Sequence, residues 1–414
     1  MRPNKYSLFE KILVRHILRG GGRQMAGPSV RIAIASVAIC VAVMISSVAI
    51  LQGFKNEIRS RIAGFAAHIK VGTFSDNTSA EPSPFTIDSL LIKQITRIKG
   101  IQRVQVVTYK TGLLRTKDQI QGLILKGGGS DMDTSFLSSY LVEGRLPRFS
   151  DTARAYELLI SEKMASMLQI RTGEKATLYF VDNKENIPRA RRFVITGIYD
   201  TGLEDFDQTM AFCNIGHLRR LNGWADNEAG LIEIFLDNED RLEEATLEIY
   251  NMLPSHLNVS NMRENYPQIF DWLQLQDINV VVILVLMILV SVMAMSSALV
   301  ILIVEKTRSI GILKALGATD KQIKKAFLLA SAYIAGRSLL WGNVTALTLL
   351  SIQYRFHLLP LPRDSYYMDY VPVLLQVTPI LLINLGTIVI CVAAMMIPTQ
   401  IIAGISPLKA IRFR

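Results

Sequence analysis

Four long apolar stretches dominate the hydrophobic pattern of the chain. They are Ile32–Gly53, Ile278–Val304, Ala326–Gln353 and Val371–Ile402. A helix of about 20 apolar residues crosses a hydrocarbon core roughly 30 Å thick, and each stretch reaches that length. The pattern therefore predicts four transmembrane helices, with one large polar segment between the first and the second.

The large polar segment has the pattern of an α+β domain. Stretches rich in β-branched residues predict strands at His68–Gly72, Val104–Leu114, Gln121–Leu125, Ala176–Phe180, Phe193–Ile198 and Leu231–Leu236. Helical spacing predicts one helix at Ile87–Ile98, capped by Thr86, and another at Arg241–Met252, introduced by Asp240. Each helix lies between two predicted strands. The section between these two units, about 135–228, is rich in loops and turns and predicts an inserted subdomain.

Helical spacing also continues outside the first two apolar stretches. Phe54, Ile58 and Ile62 share one helix face, and Ile269–Leu275 has a helical period. The predicted fold is an α-helical membrane protein with four transmembrane helices plus a large α+β extracytoplasmic domain on two stalk helices. The predicted segments are an interfacial helix at 1–31, transmembrane helices at 32–53, 278–304, 326–353 and 371–402, the α+β domain with its stalks at 54–277, a loop helix at 305–325, a short loop at 354–370 and a tail at 403–414.

The distribution of charge gives these segments a predicted orientation. Segments 1–31, 305–325 and 403–414 together hold 16 Lys or Arg and three Asp or Glu, whereas segment 55–277 has a slight acidic excess. Basic loops stay on the cytoplasmic side of a membrane. Both termini are therefore predicted to be cytoplasmic, and the α+β domain extracytoplasmic. The net charge of +10 is thus explained by topology, and no nucleic-acid partner is predicted.

No catalytic or metal-binding constellation stands out in the sequence. The acidic group Glu204, Asp205 and Asp207 has no His or Cys at a fixed spacing, which favours a solvated loop over a metal site. The chain has no G-x-x-x-x-G-K-[ST] loop, because Pro28 stands where the lysine of the nearest match is required. The sequence therefore predicts no enzyme activity and no cofactor in this chain.

The sharpest motif lies in the loop after the second apolar stretch. It combines an apolar stripe with a basic face on a short helix, and Thr319 is a candidate cap for the helix that follows. On pattern alone, docking in a protein groove and resting on the membrane surface are about equally favoured. The candidate docking residues are Glu305, Lys306, Arg308, Ile310, Ile312, Leu313, Lys314, Ala315, Leu316, Gly317 and Ala318.

This motif resembles the signature of the FtsX-like, MacB-type ABC transporter permeases. Three other segments resemble the lipoprotein-releasing branch of that family: Leu51–Ile62 with Ala67–Ile69, Gly197–Asp207, and Asn265–Leu275. The resemblance covers nearly the whole chain. It implies a MacB-like periplasmic core domain with an inserted subdomain, and it makes the loop helix the coupling helix that docks on a separate ATPase.

The resemblance also implies a function and partners. The chain would be a permease subunit in the bacterial inner membrane that extracts lipoproteins from the outer leaflet and passes them to a periplasmic carrier. ATP and magnesium would bind to a dimeric partner ATPase, and a second permease copy or a paralogue would complete the transporter. In the family, one permease type hooks the carrier with an extended loop; here the corresponding segment, Val181–Pro188, is short.

Candidate cavity residues follow from the same resemblance, since the first two spans of two permeases would face each other. The candidates are Val41, Met44, Ile45 and Val48 on the first span, Leu286, Met287 and Val290 on the second, and Tyr366 and Tyr367 before the fourth. Lipid-facing or bundle-core positions are the alternative for each of them. Arg337 is an intramembrane charge in the third span, predicted either to contact a phosphate or carbonyl or to extend toward the interface.

Three other functions remain open on the sequence. A MacB-like permease transmits mechanical motion for efflux without passing substrate through its own spans. An FtsX-like permease regulates cell-wall hydrolases. A passive membrane scaffold would use no ATPase at all. Copurification of an ATPase separates the scaffold from the permeases, and bound lipoprotein separates lipoprotein release from the other two.

Overall fold

The computed structural model describes residues 28–74, 81–116, 119–150, 155–181, 188–362 and 368–404. These residues form two compact units. The helical unit contains the described residues up to 56, residues 272–360 and those from 370 onward; the α+β unit contains those within 57–271 and 361–369. The predicted interfacial helix at 1–31 and the tail at 403–414 lie almost entirely outside the described residues.

The α+β unit is built on a mixed sheet. Its strands are β1 (Ile69–Thr73), β2 (Phe85–Thr86), β3 (Ile101–Arg115), β4 (Ile120–Gly128), β5 (Leu141–Gly144), β6 (Glu157–Ser161), β7 (Lys175–Val181), β8 (Pro188–Tyr199), β9 (Met210–Asn214), β10 (Glu228–Ala229), β11 (Leu231–Leu236) and β12 (Leu257–Asn261). Among the described residues, the main sheet has the order β12-β1-β11-β3-β4-β9-β6-β8-β5, with β7 paired to β3 and β8. Strands β2 and β10 form a separate pair.

Short helices pack on this sheet. They are α2 (Ser89–Thr96), α3 (Thr134–Ser139), α4 (Glu162–Leu168), α5 (Glu204–Asp207), α6 (Ile215–Asn222), a 3₁₀ turn (Glu239–Arg241), α7 (Leu242–Met252) and α8 (Met262–Asn265). Helices α2 and α7 bury Leu91, Ile95 and Ile249 in one hydrophobic core with β1, β11 and β12. Helices α4 and α6 contribute Met164 and Leu218 to a second core over β4 and β6–β9. Among the described residues, both cores lie on one continuous sheet.

All six predicted strands are present, but the prediction of a loop-rich section at 135–228 is wrong. The described residues of that section contain five strands and four short helices. The pattern misses β6 and β9 because both are buried at every position, so neither shows the apolar–polar alternation of a half-buried strand. The predicted cap Thr86 is also wrong: the side chain of Asp88 accepts from Leu90 N and caps α2.

The helical unit contains the long helices α1 (Pro28–Ala66), α9 (Pro267–Glu305), α11 (Asp320–Phe356) and α12 (Val377–Ala394), the short α10 (Thr307–Ala315) and a 3₁₀ helix (Pro398–Gly404). Helices α1 and α9 continue without a break over residues of both units. Close packing joins α1 to α11, since a β-carbon on Gly342 would stand 2.8 Å from the Ala38 carbonyl oxygen. Such small residues permit close helix crossings.

Three helical segments among the described residues are long and apolar enough to cross a membrane: Pro28–Ala66, Pro267–Glu305 and Val377–Gln400. The predicted third span lies in α11, a continuous helix of 37 residues. Its apolar run contains the polar residues Arg337 and Asn343. Asn343 and Asn384 exchange two side-chain hydrogen bonds of 2.7 and 3.0 Å between α11 and α12. The third span therefore stays a prediction: α11 is long enough to cross a membrane, but it is not among the three apolar segments.

The predicted fourth span begins too early. Helix α12 starts at Val377 rather than at Val371. The preceding residues are held extended because Leu374 N donates to the Ala49 carbonyl and the side chain of Gln353 donates to the Val371 carbonyl. Pro372 lies within this segment and cannot donate such a bond itself.

Candidate functional site

Helix α10 and the turn after it form the first candidate site. The turn closes as a Schellman motif: Gly317 N donates to the Lys314 carbonyl at 3.0 Å, and Ala318 N donates to the Leu313 carbonyl at 2.9 Å. Gly317 has a φ of +95°, a conformation that a residue without a β-carbon adopts without strain. The turn therefore favours the glycine of the Leu-Gly-Ala sequence.

The next helix begins with a capping box. Gln322 N donates to the Thr319 hydroxyl, and Thr319 N donates to the Gln322 side-chain oxygen. This arrangement satisfies backbone groups at the start of α11 and fixes the entry of the chain. Thr319 therefore caps α11 as the sequence predicts, and the connection between α10 and α11 is held at both ends.

Helix α10 has two faces with different roles. Ile310 is buried and Leu313 packs against the core of the helical unit. On the opposite face Arg308, Ile312 and Leu316 are exposed, with Leu316 80% exposed. Ile310 and Leu313 therefore attach α10 to its own unit, and only the second face is open to another molecule.

Lys314 belongs to the attachment rather than to the open face. Its Nζ lies 2.8 Å from the Ile402 carbonyl oxygen and 2.8 Å from a carboxylate oxygen of Asp320. It therefore ties α10 to α11 and to the 3₁₀ helix after α12. Glu305, at the end of α9, is exposed and accepts from the Ser29 hydroxyl at 3.4 Å.

A second cluster surrounds Gly53 in α1. Phe54 contacts Trp272 edge to face, with ring centroids 5.4 Å apart, and Lys55 forms a 2.8 Å ion pair with Asp277. Both contacts join α1 to α9 within the helical unit. Gly53 itself lies against the backbone of Pro372. Two of the segments that resemble the lipoprotein-releasing branch, around Gly53 and around Trp272, therefore contact each other.

Comparison with known families agrees with these features. Residues 32–250 match the MacB-like periplasmic core domain, and residues 281–407 match the FtsX-like permease C-terminal domain. The chain belongs to this family of ABC transporter permeases.

Relatives cover the permease almost end to end. It is 22% identical over 398 residues to the lipoprotein-releasing system transmembrane protein LolC of Xylella fastidiosa (strain 9a5c), with 92% of each chain covered. LolC of Neisseria meningitidis serogroup B is 22% identical over 397 residues, with 92% of the permease and 93% of the relative covered. LolE of Haemophilus influenzae is 20% identical over 391 residues, with 91% and 92% covered.

Two solved structures resemble the permease in part. The extracellular domain of the ABC-type transporter YknZ from Gram-positive bacteria covers 47% of the permease and 99% of that chain, with 18% identity and a TM-score of 0.32. The periplasmic region of MacB from Actinobacillus actinomycetemcomitans covers 51% of the permease and 95% of that chain, with 13% identity and a TM-score of 0.34.

Within the α+β unit, aromatic side chains surround Phe65, near the C-terminal end of α1. The Phe65 ring lies in this group, here called the α1 socket. Its members and their centroid distances from Phe65 are Phe206 at 4.9 Å, Phe136 at 5.3 Å, and Tyr199 and Phe212 at 6.0 Å. Arg61 donates to the Thr201 carbonyl. The Gly197–Asp207 segment that carries part of the resemblance therefore supplies much of this socket.

A buried ion pair closes the α1 socket. Lys126 is 1% exposed and Glu233 is 0% exposed, and their charged atoms lie 2.7 Å apart. The ammonium group of Lys126 also donates to the Phe65 carbonyl at 2.6 Å, near the end of α1. Gln105 and Tyr109 each donate to the Glu233 carboxylate at 2.7 Å. The carboxylate thus has the hydrogen bonds that a buried charge requires.

The environment shifts the pKa values of this pair. Burial lowers the pKa of Lys126, although the attraction of Glu233 opposes the shift. For Glu233, burial alone would raise the pKa, but the attraction of Lys126 and of Lys70 brings it below its usual range. The sequence signal for this pair is one Lys in the apolar run of β4 and one Glu in the apolar run of β11, since an isolated charge in a buried strand needs a partner.

The acidic group after Thr201 is not a solvated loop throughout. Asp207 is buried and accepts from the Thr201 hydroxyl at 2.8 Å and from its N–H at 3.2 Å. Burial raises the pKa of Asp207 to about 6, against the lowering effect of the Thr201 hydrogen bond. Glu204 instead pairs with Lys163 at the surface. Asp207 therefore shapes the turn beside the α1 socket, a role that the sequence pattern does not reveal.

The candidate cavity residues do not share one surface. Val41, Met44 and Ile45 are buried in the permease's own helical core, the position that the bundle-core alternative predicts for them. Val48 and Met287 are half-buried, whereas Leu286 and Val290 are exposed on α9. Tyr366, Tyr367 and most of the Val181–Pro188 segment lie outside the described residues.

Arg337 lies on an exposed face of α11. Tyr333, Leu340, Trp341 and Val344 are exposed on the same face, within two turns of the helix. Within the described part of the chain, Arg337 takes part in no hydrogen bond or ion pair. The structure thus brings this charge to the surface of the helical unit and away from its core.

Proposed function

We propose that the chain is the permease subunit of an ABC transporter that extracts lipoproteins from the outer leaflet of the inner membrane and passes them to a periplasmic carrier. A separate dimeric ATPase, which holds ATP and magnesium, drives the cycle. The observation that carries the proposal is the open face of α10, presented on a turn with caps at both ends. The lipoprotein-releasing relatives, matched over about nine-tenths of the chain, support the choice of substrate.

The energetics of the cargo constrain the mechanism. Three acyl chains carry roughly 45 CH₂ groups, and at about 0.8 kcal/mol each their full exposure to water would cost roughly 36 kcal/mol. A nucleotide cycle does not supply that energy in one step. The acyl chains must therefore move from the bilayer to an apolar cavity, and from there to an apolar carrier, without exposure to water.

In the proposed cycle, closure of the ATPase dimer displaces α10 through its exposed face. Lys314, Ile310 and Leu313 attach α10 to its own helical unit, so the displacement passes to the neighbouring helices. Helices α1 and α9 are each continuous over 39 residues, which makes them suited to carry motion along their axes. A second permease, a copy or a paralogue, would complete the cavity.

The topology of the proposal has four spans, with both termini and α10 in the cytoplasm and the α+β unit in the periplasm. The charge distribution supports this orientation. Three spans also satisfy length and apolarity. Labelling of single cysteines with a membrane-impermeant reagent in intact cells checks each loop.

The test is a pull-down of the tagged, full-length chain from mild detergent, in which ATPase activity and copurifying triacylated protein are measured. The variants Ile312→Asp and Leu316→Asp place a charge on the open face of α10 without touching its attachment. Leu247→Asp is the matched control, since Leu247 is 61% exposed on α7, in the other unit.

The ATPase and lipoprotein should copurify with wild type and with Leu247→Asp. The ATPase should not copurify with the two α10 variants. An ATPase without lipoprotein in the wild-type sample would instead favour a MacB-like mechanotransmitter or an FtsX-like hydrolase regulator. A wild-type sample with no ATPase would leave only the passive scaffold and contradict the proposal.

A further inference from the structure

Arg337 is a charged residue within the predicted third span. It lies on the face formed by Tyr333, Arg337, Leu340, Trp341 and Val344, here called the Arg337 face, and all five side chains are exposed. Among the described residues it has no acidic partner. A charge in the hydrocarbon region is costly unless an opposite charge, a polar group or water meets it.

The depth of Arg337 argues against a lipid phosphate as that partner. Helix α11 begins with the basic residues Lys321, Lys324 and Lys325 and ends near Tyr354 and Arg355, residue types that mark the two membrane interfaces. At a rise of roughly 1.5 Å per residue, Arg337 lies about 18 Å along the axis from Lys325 and about 26 Å from Tyr354. An arginine side chain is far shorter than either distance.

The sequence argues against a second copy of the same chain. None of the four apolar stretches contains an Asp or Glu. A symmetric copy would therefore bring another Arg337 and no carboxylate at this depth. Like charges placed together in a medium of low dielectric constant repel each other strongly.

We propose that the Arg337 face docks on a transmembrane helix of a different polypeptide, and that this helix carries an Asp or Glu that pairs with Arg337. This inference rests on the membrane placement in the proposed function and deepens its partner assignment. The guanidinium group forms two parallel hydrogen bonds to a carboxylate. Tyr333, one turn before Arg337, and Leu340 and Val344, after it, supply the apolar contact.

The experiment uses the full-length permease in the membranes of the cells that produce it. A photo-crosslinking amino acid replaces Val344, one to two turns from Arg337 on the same face. A second site at Leu385, 62% exposed on α12, reports background crosslinking. After irradiation, the crosslinked peptides are identified by mass spectrometry.

The expected product at Val344 is a peptide of a different membrane protein whose apolar segment contains Asp or Glu. Arg337→Gln should lower the yield of this product at least tenfold, whereas Arg337→Lys should retain most of it. Leu349→Gln is the matched control, because Leu349 is 57% exposed on α11 but lies outside the Arg337 face; it adds the same side chain, keeps the arginine and should leave the yield unchanged. Arg337→Asp should abolish the product, and an Arg at the partner's acidic position should restore it.

Four results would overturn the proposal: adducts with lipid alone, a product with a second copy of this chain, a partner segment without Asp or Glu, or a yield that Arg337→Gln leaves unchanged. Copurification of the ATPase, measured in the same samples with and without Leu316→Asp, tests the proposed function independently. A permease that binds its ATPase through α10 but shows only lipid adducts at Val344 would retain the function and lose this inference.

Discussion

Gly53 in α1 has no room for a side chain, because the backbone of Pro372 lies against it. A β-carbon on Gly53 would stand 2.8 Å from the carbonyl carbon and oxygen of Pro372. The same segment is bonded to α1 one turn earlier, where Leu374 N donates to the Ala49 carbonyl at 3.1 Å. The glycine of the Gln-Gly-Phe sequence in α1 is therefore a packing requirement of the helical unit.

Replacing Gly53 by Ala should destabilise the helical unit, since backbone atoms cannot move aside as a flexible side chain does. An overpacked site of this kind costs about 1–3 kcal/mol. The measurement is the thermal unfolding midpoint of the detergent-purified permease.

Gly336→Ala is the matched control. No atom lies within 4 Å of a β-carbon placed on Gly336, and Ala is favoured over Gly in a helix by about 1 kcal/mol. The control should therefore leave the midpoint unchanged or raise it. Equal midpoints for the two variants would contradict the close approach at Pro372.

Gly317 should be essential for the geometry of α10 rather than for its binding chemistry. Its φ of +95° is strained for residues with a β-carbon, and a left-handed residue costs roughly 1–2 kcal/mol. Gly317→Ala should therefore loosen the turn and lower the copurified ATPase several-fold while the exposed face keeps its residues.

Asparagine tolerates the left-handed conformation better than alanine, so Gly317→Asn should recover part of the ATPase binding. The readout is the ratio of ATPase to permease in the pull-down, with expression levels matched. An alanine variant that binds as well as wild type would show that the turn is not what positions α10.

The sequence predicts the fold class largely because its signals are local. Apolar length alone locates α1, α9 and α12, and alternation locates the exposed strands such as β3. The capping box at Thr319 is also readable from four residues. These features depend on residues that are close together in the chain, so the pattern of residue types is enough to predict them.

The parts that the sequence does not predict depend on distant partners. Val41 and Met44 have the composition of a cavity wall, yet they are buried because Gly342, far along the chain, lets α11 approach them. The sequence places Lys314 among the candidate docking residues, but in the structure its ammonium group donates to the Ile402 carbonyl. Asp207 belongs to an acidic cluster, and only the fold shows that it is buried.

Asp207 should make the stability of the α+β unit depend on pH. Its pKa is about 6 in the folded chain, against a usual value of 3.8, so the folded state holds this proton more tightly than the unfolded state. The contribution is fully present below about pH 4 and is lost as pH rises through 6, by about 3 kcal/mol in all. The wild-type permease should therefore lose stability relative to Asp207→Asn between pH 5 and pH 7.5.

The measurement is thermal unfolding of wild type and Asp207→Asn at pH 5 and pH 7.5. Other groups also titrate in this range, but their contributions are the same in both proteins and cancel in the difference. Asp205→Asn is the matched control, since it removes a carboxylate at an exposed position of the same short helix. A difference that grows in the opposite direction would contradict burial of the Asp207 carboxylate.

Replacing one residue of the Lys126–Glu233 pair should destabilise the fold more than replacing both residues by apolar ones. Lys126→Met leaves the Glu233 carboxylate buried without its nearest cation, a change that costs about 3–5 kcal/mol. The double variant Lys126→Met with Glu233→Leu removes both charges, and an apolar replacement of a buried ion pair is often neutral. The double variant should therefore unfold nearer to wild type than the single one does.

Lys110→Met provides the matched comparison, since Lys110 pairs with Glu81 at 2.8 Å but both side chains keep some exposure. A partly exposed pair contributes about 0–1 kcal/mol, so this variant should shift the unfolding midpoint little. If Lys126→Met cost no more than Lys110→Met, the ion pair would not be sealed from water in the folded permease. If the double variant were as unstable as the single one, the hydrogen bond from Lys126 to the Phe65 carbonyl, rather than the charge on Glu233, would account for the loss, because that bond is absent in both.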